Sequence, residues 1–393
     1  MKRTVVPIGP FHPILEEPLR FELHVEGEHV VDADVRISHN HRGMEKMCEG
    51  LSYDQIPFLL ARVCGICSAS HPMAFCNALE DLCGCEVPPR AQYIRTLICE
   101  LERLHSHLLW VGLAGHFIGY NTVYMWAWKY REPILDLFEK VSGSRNHYEN
   151  HRVGGVRRDI PDEVFPAIRK TLDELEPKAE MLLGAVIDDP VIHARTKGVG
   201  VLRNVDAVAY GVTGPTARGS GVNQDIRDTE PYAAYDKVDW KVVVQPEGDV
   251  FAKAAVRLLE NFESIKIIRQ CLDQIEPGPI CADVRELPEG EGIGHAEAPR
   301  GETFHYVRSD GTNRPVRYKV RAPTFVNVPS FKANVIGAEL ADAMLIVAAM
   351  DPCYSCTQRM SLIRDDTRQQ SVITHDELLQ LSWAKTERIR RQC

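Results

Sequence analysis

The sequence predicts a mainly helical α+β protein, and three observations carry that reading. A run of alternating residues near the N-terminus reads as a β-hairpin, two long proline-free stretches place apolar residues at helical spacing, and a later region rich in Pro and Gly holds short alternating pieces. At 393 residues the chain has room for one large core or two closely packed lobes. Apolar residues at 44% and charged residues at 26% are the balance of a globular protein.

In chain order, Leu19, Phe21, Leu23 and Val25 alternate with Arg20, Glu22, His24 and Glu26, the period of a half-buried strand. Glu26-Gly27-Glu28 turns the chain into a second run with Val30, Val31, Val35 and Ile37, so residues 1–40 read as an N-terminal β region. Residues 41–359 read as a helical core. In it, Ile94, Leu97, Ile98, Leu101, Leu104 and Leu108 predict one long helix over Arg90 to Gly119. Leu258, Leu259, Phe262, Ile265 and Leu272 predict another over Lys253 to Ile275. Arg152 to Asp159 and Thr213 to Asp225 are loops by their glycine-rich, polar chemistry. Residues 277–330 read as a small inserted sheet, on Phe304 to Val307 and Val316 to Val320. The polar residues 360–393 read as a C-terminal extension with a short helix around Glu377 to Arg388.

A net charge of −9 and a pI near 5.9 argue against nucleic acid, whose phosphates need a basic surface. The most apolar late stretch, Val335 to Met350, contains Glu339 and Asp342 and falls short of the roughly 20 apolar residues of a membrane span. Met1 to Pro13 lacks the apolar core of a secretory signal. The expectation is a cytoplasmic chain that meets a membrane only through partners.

Of the 12 cysteines, Cys64-Gly-Ile-Cys67 and Cys353-Tyr-Ser-Cys356 form two CxxC pairs near opposite ends of the chain. A CxxC turn aims both sulfurs at one ion, and four thiolates suit a soft metal or an iron–sulfur cluster. Structural zinc is the bland reading, at about even odds on the pairs alone. Zinc ribbons place the second pair roughly 15–20 residues after the first, unlike this chain. The remaining cysteines, Cys48, Cys76, Cys83, Cys85, Cys99, Cys271, Cys281 and Cys393, form no second such constellation and read mostly as small buried apolar residues.

The flanking residues carry a resemblance. Arg62-Val-Cys-Gly-Ile-Cys-Ser-Ala-Ser-His71 and Asp351-Pro-Cys-Tyr-Ser-Cys-Thr-Gln-Arg359 resemble the two metal-binding signatures of nickel–iron hydrogenase large subunits. Gly9-Pro-Phe-His-Pro13, His41-Arg-Gly-Met-Glu-Lys46, Arg152 to Asp159 and Arg218-Gly-Ser-Gly-Val222 are similar to the complex I subunit that borders the quinone site. Together they resemble the energy-converting, membrane-associated hydrogenases. That subgroup implies a large-subunit helix bundle with small β parts and reversible H₂ chemistry at a nickel–iron centre whose iron carries carbon monoxide and cyanide. Complex I subunits have lost the cysteine pairs; this chain keeps them.

By the resemblance, all four cysteines bind nickel, and Cys67 and Cys356 also bridge to iron. Splitting H₂ heterolytically releases a proton that must leave through protein groups. Glu17 matches the family's proton-accepting glutamate, with Glu16 one register away. Glu45 matches a magnesium-binding glutamate. Arg359 stands where the family often has histidine, and an always-protonated guanidinium is a poor metal ligand. Glu297-Ala-Pro-Arg-Gly301 resembles the loop whose arginine, here Arg300, lies over the iron ligands. Asp351 would orient Arg300, Thr324 would donate to the second cyanide, and His71 would donate to a cysteine sulfur. Implied partners are an iron–sulfur small subunit, membrane ion-translocating subunits, ferredoxin or a carbon monoxide- or formate-oxidising module, and a maturation protease that removes residues 360–393. The rival readings are a complex I-like quinone subunit without H₂ chemistry and a zinc-stabilised interaction protein.

Overall fold

The computed structural model describes residues 3–37, 39–284, 287–358, 362–363, 370–371 and 373–391. The predicted hairpin is present as β2 (Arg20–Glu26) and β3 (His29–Arg36), paired antiparallel with Glu26 opposite His29. Phe21, Leu23 and Val25 point inward, and Phe21 meets Phe331 edge-on with ring centroids 4.8 Å apart. A further strand, β1 (Thr4–Ile8), completes a three-stranded sheet on the other side of β2. It carries Pro7, an edge-strand residue that weakens a local strand signal, so only its pairing with β2 reveals it.

The short helices α1 (Met44–Cys48) and α2 (Ile56–Leu60) lead to the first cysteine pair, and α3 (Ser70–Cys83) follows it. The helical core is built on α4 (Pro89–Phe117), α5 (Asn121–Ser142), α6 (Phe165–Ile187) and α7 (Val250–Gln274). Leu97, Leu101, Leu104 and Leu108 of α4 bury against the apolar stripes of the other three. The predicted helices are α4 and α7. Asp249 accepts a hydrogen bond from the Ala252 backbone N–H and starts α7 earlier than its apolar pattern does. Helices α5 and α6 contain Pro133 and Pro177, which breaks the proline-free criterion that exposes the other two. In the two glycine-rich segments, His151–Arg152 pairs with Gly155–Val156, and Gly214–Arg218 makes a helical turn.

The inserted sheet is an antiparallel meander of β4 (Glu289–Ala298), β5 (Gly301–Asp310) and β6 (Pro315–Arg321). Strand β4 lacks a strand-like sequence because it lies directly on α3. A Cβ at Gly292 would sit 2.1 Å from the Ala78 carbonyl oxygen, and one at Gly294 would sit 2.2 Å from that of Ala74.

Beyond β6 the apolar stretch breaks into short pieces ending in α8 (Ala343–Ala349), after which comes the second cysteine pair. Among the described residues no helix is long and apolar enough to cross a membrane. The helix expected near the C-terminus spans His375–Arg390, opens on a capping box between Thr374 and Glu377, and leaves Leu381, Trp383 and Ile389 exposed.

Candidate metal centre

The first cysteine pair lies in the turn before α3 and the second at the start of a helical turn, Tyr354–Thr357, and the fold brings the two together in the interior. All four cysteines are buried. Cys64 Sγ stands 3.3 Å from Cys353 Sγ, and the sulfurs of Cys64, Cys353 and Cys356 lie within 4.8 Å of one another. Cys353 and Cys356 are in sulfur–sulfur contact across their own turn. Cys67 stands beside this group. Its backbone N–H donates to Cys64 Sγ at 3.2 Å, and its sulfur receives Arg300 Nη1 at 3.6 Å. A side-chain hydrogen bond from the Cys67 thiol, helped by the Arg300 charge, holds the Cys64 thiol below its ordinary pKa, while that side-chain bond and burial push Cys67 well above its own. Four buried cysteine sulfurs drawn from two chain segments beside a fixed guanidinium are a donor set that fits a soft dinuclear metal centre.

Arg300 sits at the turn from β4 to β5. Its Nε donates to Asp351 Oδ1 at 2.8 Å and to the Asp351 carbonyl at 3.0 Å, so Asp351 orients it. Asp351 has φ of 53°, the left-handed region, where a non-glycine residue is strained and must be held by its surroundings. Arg257 provides part of that hold, 3.6 Å from the other carboxylate oxygen. Thr324 Oγ1 accepts from the Cys353 backbone N–H at 2.9 Å. Glu17 Oε2 accepts from the Ser355 backbone N–H at 2.6 Å, which places this carboxylate on the second CxxC turn. Glu16 stays open to solvent along one edge of the concave loop Pro10 to Pro18. Protein packed around its carboxyl pushes the pKa to about 7, against the pull of Arg300.

His71 is buried, and burial lowers its pKa to about 3, so the ring is neutral. Its Nδ1 lies 3.0 Å from His305 Nε2 and 3.2 Å from Thr303 Oγ1, an arrangement in which that nitrogen serves β5 rather than a sulfur. Glu45 accepts from the Val320 N–H and from Lys319 Nζ, each at 3.1 Å. It lines a pocket of about 160 Å³ that also reaches Arg42, Val63 and Cys356. Arg359 and Cys393 lie outside the described residues. Cys48, Cys76, Cys99 and Cys271 are buried, as expected of small apolar residues.

Several residues that build the site escaped the sequence reading. Arg42 donates to the carbonyls of Arg62 and Val63, each at 2.8 Å, and of Ser355 at 3.1 Å, thereby tying the two cysteine segments together. Glu102 accepts from the N–H groups of Ala69 and Ser70, and Arg103 donates to the Glu297 carbonyl. The available signal was the density of ionisable groups on α4. Arg95, Glu100, Glu102, Arg103, His105 and His107 interrupt a helix whose apolar stripe is continuous, and all are buried.

Residues 118–287 and 280–359 match the family described as respiratory-chain NADH dehydrogenase, 49 Kd subunit, and residues 42–113 match nickel-dependent hydrogenase. The chain belongs to the family of energy-converting hydrogenase large subunits and their complex I counterparts. It is 40% identical to the membrane-bound hydrogenase subunit alpha of Pyrococcus furiosus, over 98% of this chain and 93% of that one. It is likewise 40% identical to the carbon monoxide-induced hydrogenase of Rhodospirillum rubrum, over 91% of this chain and all (100%) of that one. An NADH-quinone oxidoreductase subunit of Rhizobium etli is 38% identical, over 89% of this chain and 94% of that one. Among solved structures, a chain of the membrane-bound sulfane sulfur reductase, an archaeal respiratory membrane complex, superposes with a TM-score of 0.86 at 33% identity, over 91% of this chain and 98% of that one. Family members thus include subunits of membrane-bound complexes, and the mainly helical α+β architecture is the one they share.

Proposed function

We propose that this family member catalyses the reversible conversion of H₂ into protons and electrons, at a nickel–iron centre held by Cys64, Cys67, Cys353 and Cys356. The observation that carries the reading is the gathering of these buried sulfurs from two distant segments beside Arg300. When bound, the centre supplies the redox chemistry, with carbon monoxide and cyanide on its iron. The protein's own residues position and protect. Arg300, locked by Asp351, would present donors to one cyanide. Thr324 accepts the Cys353 N–H on its oxygen, and its hydroxyl proton would serve the other. Glu17, anchored on the Ser355 N–H, takes the proton released from H₂. His71, whose Nδ1 is engaged with β5, would donate from its other ring nitrogen to a cysteine sulfur, and Glu45, now paired with Lys319, would be the side chain that meets a magnesium ion.

Among the described residues, Cys64, Cys353 and Cys356 form the one group placed to hold a metal ion. Electrons pass to an iron–sulfur partner subunit. The complex includes membrane ion-translocating subunits, draws on ferredoxin or on a carbon monoxide- or formate-oxidising module, and places this chain at the cytoplasmic face. A maturation protease removes residues 360–393 after metal insertion. A second reading, a complex I-type subunit without hydrogen turnover, is favoured by the 38% identity to the NADH-quinone oxidoreductase subunit of Rhizobium etli.

The test is infrared spectroscopy of the purified complex together with metal analysis. Equimolar nickel and iron, with stretching bands of metal-bound carbon monoxide and cyanide, are the expected result. A zinc-filled site without those bands, or a metal-free one with quinone-linked activity, overturns the proposal.

A further inference from the structure

The turn presenting Cys67 is gripped on both flanks by one hydrogen-bonded relay that the proposed reaction leaves unused. On its C-terminal side, Glu102 of α4 accepts from the backbone N–H of Ala69 at 2.6 Å and of Ser70 at 3.1 Å, and from the Ser70 hydroxyl. On its N-terminal side, the Ile66 carbonyl lies 2.8 Å from Tyr148 OH and 3.0 Å from His105 Nε2. The two flanks are joined, because Tyr148 OH is also 3.0 Å from Glu102 Oε2 and 3.0 Å from His105 Nε2. Arg131 Nε closes the chain by donating to His105 Nδ1 at 3.1 Å.

Donor chemistry orders this relay. An arginine can only donate, so His105 Nδ1 accepts and the proton of the neutral ring sits on Nε2, facing Ile66 and Tyr148. The hydroxyl proton of Tyr148 is left for Glu102 or the Ile66 carbonyl. Glu102, His105, Tyr148 and Arg131 are all buried, and the Tyr148 ring stacks on Phe138 of α5 with centroids 3.6 Å apart and planes 8° from parallel. A side chain so fixed has no alternative rotamer to take up slack, so its contacts are transmitted to the backbone on either side of Cys67.

We infer that Glu102, Tyr148, His105 and Arg131 form a positioning device that sets where the Cys67 sulfur stands in the metal centre. The inference rests on the reading of Cys67 as a ligand shared by both metals. A shared sulfur moved by a fraction of an ångström changes its donation to the iron, and partners behind a metal ligand tune affinity or rate by roughly 10–100-fold.

The experiment takes the intact complex and compares Glu102→Gln and Tyr148→Phe with the unmodified protein by metal content, infrared spectrum and H₂ turnover. Expected are near-normal nickel and iron, shifted carbon monoxide and cyanide bands, and turnover lower by roughly 10–100-fold. Tyr148→Phe removes a single hydroxyl, so it decides the matter if Glu102→Gln fails to accumulate. Normal band positions in the variants overturn the inference, whether turnover is unchanged or falls only in proportion to lost metal, since a merely structural role lowers occupancy and leaves the surviving centres alike. Absence of the bands in the unmodified complex overturns the parent reading instead.

Discussion

A carboxyl group relays a proton only from where it reaches the reacting atoms, and the neighbours Glu16 and Glu17 differ in that reach. Glu17 is bonded to the Ser355 N–H inside the second CxxC turn, whereas Glu16 faces the solvent-open loop. Glutamine at position 17 still offers an oxygen to that N–H but has no acid proton to exchange. Glu17→Gln should therefore leave the infrared bands in place and lower H₂ turnover by about 10²–10⁴-fold. Glu16→Gln should cost only a few-fold by comparison, because of the two carboxyls it is Glu17 that is bonded to the second CxxC turn. Turnover that stays near normal in Glu17→Gln removes this residue from the mechanism. The choice between the two was not legible in the sequence, where Leu15-Glu-Glu-Pro is symmetric to the eye. One backbone hydrogen bond separates them.

At the scale of elements, α4 is the part that assembles the site. Glu102 holds the first cysteine turn, Arg103 donates to the Glu297 carbonyl at 2.7 Å ahead of Arg300, and Trp110 Nε1 donates to the Ala348 carbonyl at 2.9 Å ahead of Asp351. Residues on one helix thus fix the three segments that meet at the sulfurs. Trp110→Phe removes one buried hydrogen bond and part of the buried ring that lies under Arg257, about 2 kcal/mol together, and should lower the unfolding midpoint by roughly 2 °C. Arg103→Leu leaves the buried Glu297 carbonyl without its donor and takes one counter-charge from Glu100, which keeps Arg227, Tyr235 and Ser264, and should cost about 3 kcal/mol, enough to deplete folded protein. Equal melting curves for the two variants would refute this division. The apolar stripe of α4 was legible because leucines at helical spacing need no partner to be recognised. Its grip on the site was not, because whether Glu102 or Arg103 meets water or a backbone group depends on chain segments far away in sequence. The same reason hid β4, whose glycines make sense only against the backbone of α3.

Over the whole molecule, the interior carries enough ionisable groups to make stability depend on pH, and their directions can be summed. Burial lowers His71 and His105 to about 3 and His107 to about 4, and takes His151 and His305 well below the ordinary 6.5. Below pH 6.5 these rings bind protons in the unfolded chain and not in the folded one, so each removes stability as the pH falls toward its folded value. Desolvation acts oppositely on the carboxyls of the buried Glu102 and Glu297 and of Glu16, around which protein packs, all raised to about 7 from 4.5. Their folded forms bind protons that the unfolded chain has released, which favours folding as the pH falls toward 4.5. The rings outnumber these carboxyls between 4.5 and 6.5. Below that window, Glu100 and Glu260 add further loss, because buried arginines and hydrogen bonds hold both below the ordinary value despite burial. The expected outcome is an unfolding midpoint that declines gently from pH 6.5 to 4.5 and steeply below, measured by denaturant titration in a pH series. His151→Asn removes one of these rings and should make the upper decline shallower by roughly 1.4 kcal/mol per pH unit. A midpoint that is flat or rises as the pH drops from 6.5 to 4.5 would mean that the buried rings take up protons in place, and that the interior built around α4 is wetter than its burial implies.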